Sequence, residues 1–180
     1  VDSCMTEDRT ADKIIVDIRR LLADFKMTTY NEVTGRGFLR HVLVKRGFAT
    51  NEVMVVLVTG TPIFPARNNF LRALLKLHPE ITTVVQNVND RYTPMLLGPS
   101  EKTLYGPGFI TDVLCGLKFR ISAKSFYQIN PAQTEVLYGK AMEFAGLTGR
   151  ETVIDAYCGI GTIGMIAAKT AGQGLGVEVN

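Results

Sequence analysis

Apolar residues recur at three- and four-residue spacing between Thr10 and Phe25, at Ile14, Ile15, Ile18, Leu21, Leu22 and Phe25. That spacing predicts an amphipathic helix, with Thr10 placed to cap it. After the turn signal Gly35-Arg-Gly37 the period shortens. Phe38 to Lys45 and Val53 to Val58 read as strands joined through Arg46 to Glu52, an antiparallel hairpin. Thr61-Pro-Ile-Phe-Pro65 breaks the pattern, and Arg67 to Leu77 returns to helical spacing through Phe70, Leu71, Leu74 and Leu75. Ile81 to Val88 is a strand. Thr103 to Tyr105 and Ile110 to Ile121 read as further strands around Gly106-Pro-Gly108. This order predicts an α+β domain over residues 1–122, with helices on one face of a mainly antiparallel sheet.

The pattern changes after Lys124. Asn130-Pro131 reads as a helix cap and first turn, and Pro131 to Phe144 as the helix, ending near Gly146. Thr152 to Ala156 is a short buried strand, Cys158 to Gly161 a tight loop, Thr162 to Thr170 a helix, and Gly174 to Val179 a second strand. Strand, glycine loop, helix and strand open a doubly wound, Rossmann-like α/β sheet. Residues 123–180 therefore read as the truncated start of such a domain. Its last strand predicts an edge at Gly174–Val179 that another chain, or protein absent from this sequence, should cover.

Composition changes this picture little. Hydrophobic residues make up 46% and charged residues 21%, as in ordinary globular proteins. No apolar run reaches the roughly 18 residues of a membrane span, and Val1 to Arg20 lacks a signal peptide's apolar centre. A cytoplasmic protein is expected. Three widely spaced cysteines, Cys4, Cys115 and Cys158, do not form a disulfide framework. A start at Val1, not Met, and a stop just after an apolar strand suggest a piece of a longer protein.

Charge is more informative by region. Of 20 bases and 17 acids, Glu151, Asp155 and Glu178 face only Lys169 after residue 150, leaving 19 bases against 14 acids in residues 1–150. A mildly basic first part suits a polyanion such as RNA, and a solvated basic surface explains it equally well. Arg40, His41, Lys45 and Arg46 on the hairpin are candidates for an RNA-facing surface.

Gly159-Ile-Gly161-Thr-Ile-Gly164 matches G-x-G-x-x-G, a turn that lets backbone approach a ligand. Glu178 follows 19 residues after Gly159, at the end of the next strand, where a carboxylate can accept from two ribose hydroxyls. Both features serve dinucleotides and S-adenosylmethionine alike. Asp155 discriminates: a carboxylate there repels a pyrophosphate, whereas it complements a sulfonium and an α-ammonium.

Asp155-Ala-Tyr-Cys-Gly-Ile-Gly-Thr162 resembles the cofactor loop of the RNA uracil-5-methyltransferase family. Phe119-Arg-Ile-Ser-Ala-Lys-Ser-Phe-Tyr-Gln-Ile-Asn-Pro131 resembles its upstream segment, and the pairing, with Gln128 and Tyr157 separated by 29 residues, is more specific than either motif. The members that modify 23S ribosomal RNA look closest, with the transfer-RNA members as the alternative. The resemblance implies S-adenosylmethionine as cofactor. Gln128 would bind it, Tyr157 contact it from the loop and Glu178 hold its ribose, with Asp155, Gly159, Gly161 and Thr162 shaping the pocket. Phe126 offers an aromatic face to a base or cofactor, or simply packs.

The family's chemistry uses a cysteine that adds to carbon 6 of uracil and a base that removes the carbon-5 proton. Both lie in the second half of the catalytic domain, so no catalytic residue is expected in this chain. Cys158 then belongs to the cofactor loop, and Cys115 reads as a small core residue in a strand. The resemblance leaves Cys4 either an iron–sulfur ligand or a free thiol; no metal site is expected from this chain alone. Two rival readings remain: a non-catalytic RNA-binding module with a vestigial cofactor fold, and a dinucleotide-dependent oxidoreductase fragment.

Overall fold

The computed structural model describes residues 2–179. The chain divides into two units, one of residues 1–46 and 51–110, the other of residues 47–50 and 111–180. The boundary expected at 122/123 falls inside the second unit, because β5 (Phe109–Leu114) and β6 (Leu117–Ser122) form their own two-stranded sheet.

In the first unit, α1 (Arg9–Asp24) is followed by β1 (Leu39–Arg46), β2 (Val53–Thr59), α2 (Arg67–Leu77), β3 (Ile81–Val88) and β4 (Ser100–Tyr105). The four strands lie in the order β1-β2-β3-β4. β1 and β2 are the expected antiparallel hairpin, and β3 pairs antiparallel with β4. The central pair β2-β3 is parallel, and α2 supplies the crossover that a parallel pair requires. Ile14, Ile18, Leu21 and Leu22 of α1 and Phe70, Leu71 and Leu74 of α2 pack with Val53, Val55, Leu57 and Val84 of the sheet. Both helices thus serve one sheet face. Met54, Val56 and Val58, pointing to the other face by strand alternation, are also buried.

The α1 cap is Asp8, not Thr10. The Asp8 carboxylate accepts from the Thr10 and Ala11 amides and takes Arg46 Nη1 at 2.6 Å. Burial raises its pKa, but the Arg46 hydrogen bond and the two amides outweigh this and hold it below the ordinary value.

The basic cluster on β1 does not form one exposed surface. The Arg40 side chain is 1% exposed. Its Nη2 meets Glu32 Oε2 at 2.8 Å, and its Nη1 donates to the carbonyls of Asn89 and Arg91, each at 2.9 Å. The Tyr30 ring lies 4.4 Å beneath the guanidinium. Arg46 is committed to Asp8 and Asn51. Burial pulls the Lys45 pKa down, with the Glu101 carboxylate opposing. Arg40 and Arg46 therefore hold the fold; they are not a free RNA-facing patch.

Arg40 also fixes the segment after β3. There Asn89 Nδ2 reaches the carbonyl of Met95 at 2.7 Å, and Asn87 exchanges hydrogen bonds with Gly98. A Cβ on Gly98 would lie 1.8 Å from the Val88 carbonyl oxygen, so only glycine fits.

The second unit continues with α3 (Pro131–Ala145), β7 (Thr152–Asp155), α4 (Thr162–Ala167) and β8 (Gln173–Gly176). Asn130 caps α3 as expected, accepting from Gln133 N, with Pro131 in the first turn and Gly146 closing it at φ 56°. The run Ile110 to Ile121 is broken at Cys115-Gly116, both at positive φ. Cys115 thus occupies a hairpin turn, not a strand core. Glu135 Oε1 accepts from its amide, and Lys169 Nζ donates to its carbonyl. Burial and the Glu135 carboxylate push its thiol pKa up, with Lys169 opposing.

Among the described residues, no helix is long and apolar enough to cross a membrane.

Replacing Arg40 with Ala leaves two loop carbonyls and Glu32 without their donor. An unfolding cost of about 2–3 kcal/mol in urea is expected. Arg36→Ala, at an exposed position just before β1, should change stability by no more than about 0.5 kcal/mol.

Candidate cofactor site

β7 and β8 are parallel, in register from Thr152↔Gln173 to Asp155↔Gly176, with α4 as the crossover. This is the strand, loop, helix and parallel strand expected over these residues. Three details differ. β7 is only half-buried, with Ile154 63% exposed, because two strands and one short helix leave most of its surface open. The α4 helix ends at Ala167, and β8 at Gly176, each earlier than expected. Among the described residues β8 pairs with β7 alone, and its residues are exposed.

The strand-to-helix turn is locked by Asp155. Its Oδ2 accepts from Gly164 N at 3.0 Å, tying the end of β7 to the first turn of α4. A Cβ at Gly164 would lie 2.8 Å from that oxygen and 3.0 Å from Asp155 Cβ, so the third glycine of the motif is needed for this approach. Gly161 is needed for another reason: it is the N-cap of α4 at φ 81°. Its amide donates to the Cys158 carbonyl at 2.7 Å, closing the loop. Gly159 also has positive φ, 54°, and nothing lies within 4 Å of where its Cβ would be. The loop backbone is therefore open to approach at Gly159.

Glu178 reaches this loop. Its Oε2 accepts from Gly159 N at 2.8 Å, across 19 residues of sequence, and its Oε1 accepts from Val179 N. Backbone bonds extend the strand alignment toward it: Val177 N donates to Asp155 O, and Cys158 N to Val177 O. Thr162, the first residue of α4, shares a 3.1 Å hydrogen bond with the Tyr138 hydroxyl and so joins α4 to α3. Tyr138 belongs to the small core of this unit with Leu114, Phe119 and Ile166.

Tyr157 projects from the loop at 88% exposed, and Phe126 is also largely exposed. Phe126 does not pack into the core. Gln128 is half-buried and makes no side-chain hydrogen bond among the described residues. The structure thus brings Asp155, Gly159, Gly161, Thr162 and Glu178 together around one loop. It records no bond from Gln128 or Tyr157 to them.

Two supporting residues were not singled out from sequence. Asp112 is fully buried; it accepts from Ala49 N at 2.8 Å and from the Tyr127 hydroxyl at 3.2 Å. Burial and the Asp112 charge push the Tyr127 pKa well above the ordinary phenol range, so the hydroxyl stays a donor that fixes the segment leading to Gln128. Alternating burial of Ile110, Asp112 and Leu114 is the signal that marks Asp112. The second is Glu151, which ties down the turn before β7. Hydrogen bonds from the Thr148 hydroxyl and amide, then from its own and the Arg150 amide, bring its pKa down to about 2.

Cys158 packs its Sγ over Gly176, where a Cβ would lie 3.1 Å away. Cys4 contacts Thr6 Oγ1, and its amide donates to Asp12. Among the described residues no group of three potential ligands is positioned to hold a metal ion.

Gly164→Ala should force Asp155 aside and destabilise the second unit by about 1–3 kcal/mol. In the Asp155→Ala background the same change should cost less, because the facing carboxylate is gone; a double-mutant cycle in urea measures the coupling. The depressed pKa of Glu151 means that its contribution to stability is complete above the ordinary value of 4.5 and is lost as pH falls through about 2. An NMR titration of the Glu151 carboxyl carbon should give that low midpoint, and Thr148→Val should raise it.

No protein-family model matches the chain. Curated relatives do. An uncharacterized RNA methyltransferase of Enterococcus faecalis is 48% identical over 174 residues, covering 96% of this chain and 38% of that protein. One from Clostridium acetobutylicum is 42% identical over 179 residues, covering 99% of this chain and 39% of its own length. Among solved structures, the Pyrococcus abyssi tRNA (uracil-54, C5)-methyltransferase in complex with S-adenosyl-L-homocysteine superimposes with a TM-score of 0.79 at 27% identity. That match covers all of this chain and 43% of that one. Along essentially its whole length the chain is homologous to RNA methyltransferases, and it spans about two fifths of the length of those relatives.

Proposed function

We propose that this chain carries the S-adenosylmethionine-binding start of an enzyme that methylates carbon 5 of uridine in RNA. One observation carries the reading. Glu178 sits at the glycine loop, bonded to Gly159 N, in a fold that matches a uracil C5 methyltransferase holding S-adenosylhomocysteine. A carboxylate at this point accepts from both ribose hydroxyls once a ligand replaces the loop amide as its partner. When bound, the cofactor supplies an electrophilic methyl group. Glu178 would hold the ribose, the open backbone at Gly159 would admit the ligand, and Tyr157 and Gln128 would contact it from the loop and the α3 entry.

The role of Asp155 follows more narrowly than its charge suggested. One oxygen is spent on Gly164 N, so Asp155 first shapes the turn. Its negative charge still disfavours a pyrophosphate, and the oxidoreductase reading loses its support there.

The substrate proposed is ribosomal RNA, on the resemblance of the Phe119–Pro131 and Asp155–Thr162 segments to the 23S-modifying members. Transfer RNA is the second reading, favoured by the solved structure whose own substrate is tRNA. The nucleophilic cysteine and the proton-removing base would be supplied by residues outside this chain, and residues 1–122 would contribute to RNA binding. The β8 edge would pair with a further strand of the whole protein.

Calorimetry on the naturally occurring full-length protein tests the cofactor assignment. S-adenosylhomocysteine should bind and NAD should not, and Glu178→Ala should weaken binding at least about tenfold, the scale of one lost charge-assisted hydrogen-bond pair. Binding of NAD alone would overturn the proposal, and binding of neither would favour a non-catalytic RNA-binding module. Incubation with methyl-labelled cofactor and either rRNA or tRNA, followed by nucleoside analysis, should yield 5-methyluridine from one of them.

A further inference from the structure

Gln128 lies in residues 123–130, which join β6 to α3 and belong to neither helix nor strand. No ladder of backbone hydrogen bonds holds such a segment, so individual contacts must set its path. The Gln128 amide is half-buried and bonded to nothing among the described residues. It is free to meet a ligand, and its place is set by its neighbours.

Those neighbours are fastened on both sides. Upstream, Ser122 and Ser125 bind each other reciprocally: each hydroxyl oxygen accepts from the other's amide, at 3.1 and 3.2 Å. Downstream, Asn130 caps α3 and its carbonyl accepts from the Thr134 amide and hydroxyl. Between these anchors the largest one is Tyr127, the residue next to Gln128. Its ring packs against the small core of the second unit, with its centroid 6.5 Å from that of Phe119. Its hydroxyl donates to Asp112 Oδ2 at 3.2 Å. The other oxygen, Asp112 Oδ1, accepts from Ala49 N at 2.8 Å. Ala49, Asp112 and Tyr127 all belong to the second unit.

Asp112 is an expensive way to make this contact. It is 0% exposed, and no basic side chain pairs with it among the described residues. A buried carboxylate without a counter-charge costs free energy that an apolar residue at 112, facing a phenyl ring at 127, would avoid. Packing therefore does not account for the pair. What the carboxylate adds is direction: its two oxygens fix one loop amide and one phenol, and the phenol fixes the backbone beside Gln128.

We infer that Asp112 and Tyr127 are positioning residues for the cofactor, holding Gln128 where its amide meets the ligand. The inference rests on the proposed role of Gln128 in binding S-adenosylmethionine. Neither Asp112 nor Tyr127 need touch the ligand; their effect on affinity passes through Gln128. A site built on a segment without regular structure gains its precision from such supporting contacts.

A double-mutant cycle on the full-length protein, read by calorimetry with S-adenosylhomocysteine, provides the test. Tyr127→Phe keeps the ring and removes the hydroxyl, and should weaken binding about fivefold. Gln128→Ala should weaken it about tenfold. The combined variant should bind within about twofold of Gln128→Ala alone, because the hydroxyl has nothing left to position. Asp112→Asn/Tyr127→Phe repeats the cycle without leaving a buried charge unpaired, which covers the case in which Tyr127→Phe alone unfolds the protein. A general loosening of the fold would instead multiply with the Gln128→Ala loss. Multiplied losses, or wild-type affinity in both Tyr127→Phe and Asp112→Asn/Tyr127→Phe, would overturn the inference. So would wild-type affinity in Gln128→Ala, while leaving the cofactor reading on Glu178 intact. Absence of any S-adenosylhomocysteine binding by the wild-type protein would overturn both.

Discussion

The candidate cofactor site depends on one contact, that between the Asp155 carboxylate and the Gly164 amide. A parallel strand pair needs a crossover, and here the turn into it occupies only the residues from Ala156 to Gly161. Such a short turn holds its shape only if the strand end and the helix start are fastened together. Asp155 Oδ2 does this at 3.0 Å, and only glycine at 164 allows the approach. Once fastened, the chain must reverse through positive φ at Gly159 and Gly161. The reversal leaves the Gly159 amide facing outward, where Glu178 finds it. Strand pairing supplies the other half of the alignment, because the β7–β8 register delivers Glu178 to the loop.

The two units solve different problems with similar means. The first buries a continuous apolar face between α1, α2 and a four-stranded sheet, and adds polar bolts where loops must be held. Arg40 is the clearest of these. Its guanidinium makes five hydrogen bonds to Glu32, Asn89 and Arg91, with its face on Tyr30. The second unit has a smaller core, and polar contacts do more of the positioning: Asp112 to Tyr127, Tyr138 to Thr162, Glu135 and Lys169 to the Cys115 turn. Ile154 of β7 and Leu175 of β8 leave apolar surface open, as does Val177 just after β8.

Much of this was legible in the sequence where local rules decide. The bounds of α2 and β3 follow from apolar period and from the Thr61–Pro65 break, and the Asn130-Pro131 start of α3 follows from capping chemistry. Legibility fails where distant partners decide. Arg40 looked like one of four hairpin cations, but acceptors 49 and 51 residues away bury it. Cys115 looked like part of a strand because one glycine after it is a weak signal in an apolar run. Thr10 and Asp8 are both good caps two residues apart, and the contact from Arg46 to Asp8 is invisible locally. At the cofactor loop the glycines and Glu178 were readable from spacing, whereas the purpose of each glycine, close approach at 164 and left-handed backbone at 159 and 161, required the geometry.

In the proposed cofactor site, Glu178 and the Gly159–Thr162 loop together receive the ribose end of S-adenosylmethionine. Adding S-adenosylhomocysteine to isotope-labelled full-length protein and following backbone amides tests it most directly. The Gly159 amide should shift most strongly, as Glu178 exchanges it for the ribose hydroxyls, with Gly161 and Thr162 following, and Glu178→Gln should suppress the response. Saturable binding that leaves the Gly159 amide unmoved, or the same response in Glu178→Gln, would contradict it.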